Sequence, residues 1–139
     1  MEFIYQIDLA LFKFFNSSIA NPIFDLVMPI LTNETYWLPI YVVGILFLII
    51  KGGKTGRITA LALILTVIVS DQLSSLILKE YFGRIRPCHT LDDVRLLVGC
   101  GGGKSFPSSH AVNNFAAAMV LFRFYPSKKT IFFSIAAIV

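Results

Sequence analysis

The amino-acid sequence predicts an all-α fold, a helical bundle embedded in a membrane, from its composition and from the length of its apolar segments. Hydrophobic residues make up 56% of the 139 residues and charged residues only 14%, and the mean hydropathy is +0.76. A typical soluble domain is about 25% charged, so the chain is unusually apolar. No linker-like stretch or internal repeat divides it, and we expect a single domain over residues 1–139.

The N-terminal segment, residues 1–33, is predicted to form helices that lie in the membrane interface. Apolar residues recur at helical spacing over residues 3–15, and polar residues occupy the other side of the helix. A second short apolar stretch follows Asn21-Pro22 and carries Asp25. It is too short and too polar to cross a bilayer alone.

Four apolar segments are predicted to be membrane-spanning helices, at residues 36–50, 58–78, 110–125 and 130–139. The first begins with Tyr36-Trp37, an aromatic pair typical of the interface between membrane and water. The fourth is too short to cross a bilayer, which takes about 20 residues. We therefore expect the natural protein to continue beyond residue 139.

Loop charges predict the orientation of the bundle, because cytoplasmic loops collect lysine and arginine. Two loops hold basic residues and no acidic ones: Lys51, Lys54 and Arg57 in the first, and Arg123, Lys128 and Lys129 in the second. Both loops are predicted to be cytoplasmic. Residues 79–107 and the N-terminal segment are then predicted to lie on the outer side.

The outer segment carries five basic residues, Lys79, Arg84, Arg86, Arg95 and Lys104. Basic side chains are least expected on this side of a membrane, so their number favours a site that binds an anion. The alternative is that they reach toward lipid phosphates without forming a site. Because the basic residues of the chain form short clusters without interleaved aromatics, nucleic acid is not an expected partner.

The segment Pro107-Ser108-Ser109-His110 has the features of a helix start. Proline favours the first helical turn, serine is a good N-cap, and an apolar helical run follows at once. Backbone N–H groups and the positive end of the helix dipole attract phosphate there, and His110 is placed to give a proton to a leaving oxygen. The alternative is an ordinary helix cap with an incidental histidine.

Two motifs carry a resemblance to a known family: Lys79, six further residues and Arg86-Pro87, and then Pro107-Ser108-Ser109-His110 at the start of the next membrane helix. They resemble the first two signature motifs of the type 2 phosphatidic acid phosphatase superfamily. Their order along the chain and their predicted topology are similar as well. Either motif alone could arise by chance in a basic loop, whereas the pair is a specific signal.

The resemblance implies a role for each matching residue. In that family the lysine and arginine of the first motif bind the phosphoryl group, which points to Lys79 and Arg86. The serine and backbone amides of the second motif also hold phosphate, which assigns Ser108 and Ser109 to substrate binding. The histidine of the second motif protonates the leaving group, which makes His110 the general acid.

The family has a third motif, Ser-Arg, five residues, His, three residues, Asp, whose histidine attacks phosphorus. Nothing after His110 matches this pattern, so either the nucleophile lies beyond residue 139, which the unfinished fourth span favours, or this polypeptide cannot turn over. Phosphoryl transfer spreads charge over three equatorial oxygens, which two cationic side chains, a helix N-terminus and a proton donor can stabilise. Neither a metal nor another cofactor is expected.

The resemblance therefore implies a metal-independent hydrolase that removes a phosphate from a membrane lipid through a phosphohistidine. Substrates consistent with it are lipid A 1-phosphate, undecaprenyl diphosphate, phosphatidylglycerol phosphate and phosphatidic acid. The expected location is a bacterial inner membrane, with the active site on the periplasmic face. The rival hypothesis is a non-catalytic membrane protein that binds or moves anionic lipids with the same basic cluster.

Three further residues are candidates for supporting roles. Arg84 and Lys104 lie within the outer segment, and Lys104 is expected near the phosphate entrance. Asp71 lies within the second predicted span, where exposure to lipid is costly, so it should face the bundle interior. It either orients the site through Ser75 or makes a structural hydrogen bond to a neighbouring helix.

Cys88 and Cys100 are the only cysteines, and they could close a small disulfide loop if the outer segment faces an oxidising compartment. Free thiols are the alternative. A zinc site with His89 and His110 is a third hypothesis, but the spacing of the four residues matches no common zinc pattern.

Overall fold

The fold is all-helical, as the sequence predicts. The computed structural model describes residues 2–138, and for Glu34 only the backbone. Within this range every regular element is a helix, and the one strand-like feature is an isolated antiparallel bridge between Ile85 and Lys104.

The chain divides into two compact units. The first unit contains the residues up to Asn33 together with Arg86–Gly103, and the second contains Glu34–Ile85 together with the residues from Lys104 onward. Each unit is described separately below.

The first unit is built from two short helices and the segment that follows Ile85. Its helices are α1 (Glu2–Lys13), which continues as a π-helical turn (Phe14–Ser18), and α2 (Pro22–Thr32). The two helices meet at an angle of 114°. Asn21 caps α2, because its Oδ1 accepts hydrogen bonds from the backbone N–H groups of Ile23 and Phe24, each at 3.0 Å. Pro22 at the first helical position completes this start signal.

The second unit is a bundle of helices: α3 (Glu34–Lys51), α4 (Gly53–Gln72), α5 (Lys79–Phe82), α6 (Ser109–Phe124) and α7 (Lys129–Ile138). A π-helical segment, Leu73–Leu78, joins α4 to α5 without a break. Helix α3 packs on α4, α4 on α6, and α6 on α7. The helical conformation thus continues four residues beyond the predicted range 58–78, so Lys79 lies on a helix and not in the loop that follows.

Glycines allow α3 and α4 to approach closely where the chain turns between them. Gly53 adopts a left-handed conformation, with a φ of 59°. A Cβ atom on Gly56 would stand only 2.3 Å from the backbone oxygen of Leu48, so only glycine fits there. Arg57 ties the same corner together, because its Nε donates to the carbonyl of Ile49 at 3.3 Å.

The second unit buries small and polar residues and exposes large apolar ones. Thr59 and Ser74 are fully buried on the helix that runs from α4 to α5, and Ser70 is only 8% exposed. Val69 and Leu76 on the same helix are 63% and 65% exposed. Helix contacts made by small and polar side chains, with large apolar side chains outside, are typical of helices surrounded by lipid.

One helix in the described part of the chain is long and apolar enough to cross a membrane, the 30-residue helix Gly53–Phe82. Helix α3 is apolar but shorter, and α1 with α2 could form a span only as a sharply bent pair. The presence of four membrane-spanning helices therefore stays a prediction.

Candidate active site

The Pro107–His110 motif stands at the N-terminus of α6. Ser108 is the N-cap residue, and its hydroxyl oxygen accepts a hydrogen bond from the backbone N–H of Ala111 at 3.3 Å. Ser109 and His110 are the first two residues of the helix, in the turn whose backbone N–H groups point out of the helix end. An anion is stabilised at such an end by the N–H groups and by the helix dipole.

His110 lies partly within the protein. Its side chain is half-buried, and its Nε2 atom is buried. Its backbone carbonyl accepts a hydrogen bond from Nδ2 of Asn114, one turn further along α6, at 2.9 Å. This bond braces the first two turns of α6 from within.

Lys79 is the first residue of α5, the last helical turn of the long helix. The side chain is half-buried. The helix ends at Gly83, which adopts a left-handed conformation with a φ of 60° and whose N–H donates to the carbonyl of Lys79 at 2.9 Å. A lysine on a C-terminal turn also interacts favourably with the helix dipole. Lys79 can therefore stabilise the helix end in addition to binding an anion.

A short neck of paired chain connects the end of α5 to the start of α6. The backbone N–H of Ser105 donates to the carbonyl of Arg84 at 2.8 Å, and Nη1 of Arg84 lies 3.4 Å from the Ser105 hydroxyl. The bridge between Ile85 and Lys104 is the next pair along. These contacts bring the two motif-bearing helix ends of the second unit toward each other, and they give Arg84 a structural partner.

Two aromatic rings pack together between the neck and the helix ends. The rings of Phe82 and Phe106 meet edge to face, with their centroids 4.9 Å apart. Phe82 is the last residue of α5, and Phe106 directly precedes Pro107. The contact fixes the chain just before the helix-opening motif.

Arg86 belongs to the first unit, whereas Lys79 and the serine-histidine motif belong to the second. Within the first unit, Nε of Arg86 donates to the carbonyl of Gly102 at 3.3 Å. Its guanidinium also packs against the backbone of Gly101, where a Cβ atom would stand 3.7 Å from Cζ. The glycine-rich loop therefore supports the arginine side chain directly.

Arg95 is the second arginine that the first unit holds in place. Its backbone N–H donates to Oδ1 of Asn16, and Nδ2 of Asn16 donates to the carbonyl of Arg95, both at 2.9 Å. Its guanidinium forms an ion pair with Asp25. Sequence reasoning did not foresee this partnership. The only signal for it was an acidic residue in an otherwise apolar helix.

A cleft of about 270 Å³ in the first unit lies between α2 and the outer segment. The lining combines apolar side chains with two guanidinium groups: Met28, Pro29, Leu96, Leu97 and Val98 with Arg86 and Arg95. The two cysteines contribute to the same wall.

Cys88 and Cys100 are joined by a disulfide, with their Cα atoms 6.2 Å apart. His89 lies beside the bond, and its Nε2 is 3.5 Å from Sγ of Cys100. These three residues form the one cluster of possible metal ligands in the described part of the chain. Both sulfur atoms are used by the disulfide, so in this state they cannot bind zinc as thiolates.

Asp71 faces a neighbouring helix. Its Oδ1 accepts a hydrogen bond from Nδ2 of Asn113 on α6 at 3.1 Å. Of the two routes foreseen for it, this is the hydrogen bond to another helix and not the route through Ser75. The serine that reaches the motif is Ser74, whose hydroxyl oxygen lies 3.4 Å from that of Ser109.

Known proteins are similar in sequence to this chain. Residues 58–139 match the sequence profile of the PAP2 superfamily. A lipid A 4'-phosphatase of Bacteroides thetaiotaomicron is 34% identical over 128 residues, which cover 87% of this chain and 56% of that protein. A lipid A 4'-phosphatase of Porphyromonas gingivalis is 30% identical over 133 residues, which cover 92% of this chain and 56% of that protein.

This chain therefore spans a little more than half the length of these relatives. No solved structure matches it. The profile covers the whole stretch that carries Lys79, Arg86 and the α6 motif, and it confirms the resemblance drawn from those residues. The chain belongs to the PAP2 superfamily.

Proposed function

We propose that this chain carries the phosphate-binding and proton-donating part of a membrane lipid phosphatase. The observation that carries the proposal is the pairing of two helix ends by the neck. One end carries Lys79, and the other opens with Ser108, Ser109 and His110. A cation at one helix end, and a helix N-terminus with an imidazole at the end paired with it, can stabilise the charge and supply the proton that phosphoryl transfer requires.

Each residue has a distinct part in the proposed reaction. Lys79 and Arg86 offset the charge on the equatorial oxygens, and the Ser108–Ser109 turn donates N–H groups to them. A histidine nucleophile attacks phosphorus, the bond to the lipid oxygen breaks, and His110 protonates that oxygen. Water then hydrolyses the phosphohistidine. None of these steps requires a metal or another cofactor.

The nucleophile has no counterpart among residues 111–139, since the second and last histidine of the sequence is His110. The proposed activity therefore requires a protein that contains this chain together with such a residue. Its test is made on that protein.

The proposed location is the bacterial inner membrane, with four spanning helices and the active site on the periplasmic side. Two observations support it: the apolar exterior of the second unit, and the basic loops that lack acidic residues. The disulfide in the outer segment agrees with an oxidising compartment.

The proposed substrate is lipid A phosphorylated at the 4' position, because both relatives are lipid A 4'-phosphatases. Lipid A 1-phosphate, undecaprenyl diphosphate, phosphatidylglycerol phosphate and phosphatidic acid share the same reacting group and form the comparison panel. The partner in every case is a phosphorylated lipid in the bilayer.

Phosphate release from this panel by the full-length protein tests the proposal. We expect the highest kcat/KM with the lipid A 4'-phosphate, insensitivity to chelators, and a loss of about 100-fold or more in kcat for His110→Ala. Arg86→Ala should lose a similar factor. His89→Ala and Arg123→Ala are matched controls at exposed positions, and they should keep wild-type rates.

Two outcomes would overturn the proposal. One is unchanged phosphate release in both His110→Ala and Arg86→Ala. The other is tight binding of the lipid phosphates with no release by the wild-type protein, which would favour a protein that binds or moves anionic lipids.

A further inference from the structure

A line of polar side chains joins α4 to α6 within the second unit. The hydroxyl of Ser70 donates to Oδ1 of Asn113 at 2.6 Å, and Nδ2 of Asn113 donates to Asp71 at 3.1 Å. Asn113 therefore bridges two consecutive residues of the facing helix, one through its carbonyl and one through its amino group. Ser70 is only 8% exposed, so water does not replace this bond easily, and the other acceptor within its reach is the carbonyl of Val67 on its own helix, at 3.1 Å.

A second contact repeats this pattern one helical turn closer to the motif. Ser74 follows Ser70 by four residues, and Asn113 follows Ser109 by four, so each pair shares one helix face. Ser74 is fully buried, and its hydroxyl oxygen lies 3.4 Å from that of Ser109. The two rungs run in antiparallel order, with Ser74 opposite Ser109 and Ser70 opposite Asn113.

Asn114 adds a link to a third helix. Its amino group donates to the carbonyl of His110, and Oη of Tyr41 on α3 lies 3.5 Å from its Oδ1. Two adjacent asparagines thus connect the first turns of α6 to α3 and to α4. These are the turns that begin with Ser109 and His110.

Polar contacts of this kind fix the axial register of one helix relative to another. Apolar contacts alone fix it less well, because they are not directional. A slip of one turn, about 5.4 Å, would place Leu78 opposite Ser109 and Ala117 opposite Ser70, and it would keep a polar pair only between Ser74 and Asn113. A slip the other way would remove Asp71 and Ser74 from their present partners. Each alternative leaves polar groups without these bonds in apolar surroundings, which is costly.

We propose that the bridge made by Ser70, Asp71 and Asn113 sets the axial register between the two helices that carry the active-site motifs. Asp71 lies eight residues before Lys79 on the same continuous helix. Asn113 lies three residues after His110 on the other helix. Asp71 and Asn113 are therefore positioning residues for phosphoryl transfer, an inference that rests on the proposed function.

The chemistry of the bridge permits an exchange of its two polar groups. In Asn113→Asp, two carboxylates face each other and the donor to Asp71 is lost. In the double variant Asp71→Asn/Asn113→Asp, an amide at position 71 can donate to a carboxylate at position 113, which still accepts from Ser70. The exchange restores a hydrogen-bonded pair of the same size.

The test measures kcat and KM for lipid A 4'-phosphate with the full-length protein and these variants. We expect Asn113→Asp to lower kcat by about 10- to 100-fold and to change KM by less, because a small displacement of catalytic groups costs rate. The double variant should recover kcat to within about threefold of wild type. A purely structural role predicts loss of folded protein with no selective effect on kcat.

Thermal unfolding of each purified variant separates misfolding from mispositioning. If Asn113→Asp does not fold, Ser70→Ala takes its place, because it removes one donor and leaves no opposed charges. It should fold with a kcat several-fold below wild type. The proposal is overturned by a wild-type kcat in folded Asn113→Asp or Ser70→Ala, or by a double variant that folds but does not recover.

The His110→Ala variant keeps the two proposals distinguishable. If His110→Ala is inactive and the bridge variants are fully active, the positioning role is wrong and the phosphatase proposal stands. If His110→Ala is as active as wild type, the proposed function is wrong, and the positioning role that rests on it is wrong as well.

Discussion

The hydroxyl groups of Ser74 and Ser109 lie 3.4 Å apart between two helices, and Ser74 is completely buried. A buried hydroxyl without a partner costs stability, so this contact is more than incidental packing. It also connects the helix that carries Lys79 to the first residue of α6.

Replacing Ser74 is therefore expected to destabilise the second unit. Ser74→Ala removes one partner and leaves the Ser109 hydroxyl without this contact, for a loss of about 1 kcal/mol. Ser75→Ala is the matched control, because Ser75 is its immediate neighbour and is not buried. Thermal unfolding of both variants in detergent measures the difference, and equal stability would contradict the prediction.

The close approach of α3 and α4 makes a second prediction. Gly56→Ala would place a Cβ atom 2.3 Å from the carbonyl oxygen of Leu48, so the helices must separate. We expect a loss of about 1–3 kcal/mol in the free energy of unfolding. Gly44→Ala is the control, because a Cβ atom there meets nothing within 4 Å.

Since alanine favours a helix over glycine, Gly44→Ala should be neutral or stabilising by up to about 1 kcal/mol. Chemical denaturation of the two variants provides the measurement. A Gly56→Ala protein as stable as Gly44→Ala would show that α3 and α4 are not in close contact.

The side-chain charge of Lys79 is expected to matter for substrate. Lys79→Gln should lower kcat/KM for the lipid phosphate by about 100-fold, because it removes a cation from the developing phosphoryl charge. Lys54→Gln changes the same kind of residue at the opposite end of the same continuous helix. Its kcat/KM should stay within about twofold of wild type, and an equal loss in both variants would rule out a specific role for Lys79.

Because Cys88 and Cys100 form a disulfide, we expect neither to be available as a free thiol until the bond is reduced. In protein purified without reductant, neither cysteine should react with a maleimide, and after reduction both should react. The double variant Cys88→Ser/Cys100→Ser is the blank for both conditions. Removing the bond should also destabilise the first unit, by about 2–4 kcal/mol for a loop of this size.

Much of the architecture can be predicted from the sequence, because hydropathy and helix-start chemistry are local properties. Pro107 and Ser108 followed by an apolar run are sufficient to locate the start of α6. What a single sequence does not contain is the rotation of one helix against another. Two routes were open for Asp71, through Ser75 or to a neighbouring helix; the structure shows the second, and the partner, Asn113, lies 42 residues away.

The part played by Arg84 illustrates the same limit. Its charge and position made it a candidate near the phosphate, yet both its backbone carbonyl and its guanidinium contact Ser105. That contact forms only because the chain comes back beside Arg84 at Ser105, 21 residues later. No local sequence pattern predicts this long-range contact.

The neck has a consequence for how this kind of protein can diversify. Because Ile85 and Lys104 are paired, the segment between them leaves and rejoins the helical bundle at adjacent points. Its length and composition can then vary at little entropic cost to the helices, since doubling a loop adds only about 0.6 kcal/mol. Insertions and deletions between Ile85 and Lys104 can therefore accumulate while the ends of α5 and α6 keep their pairing.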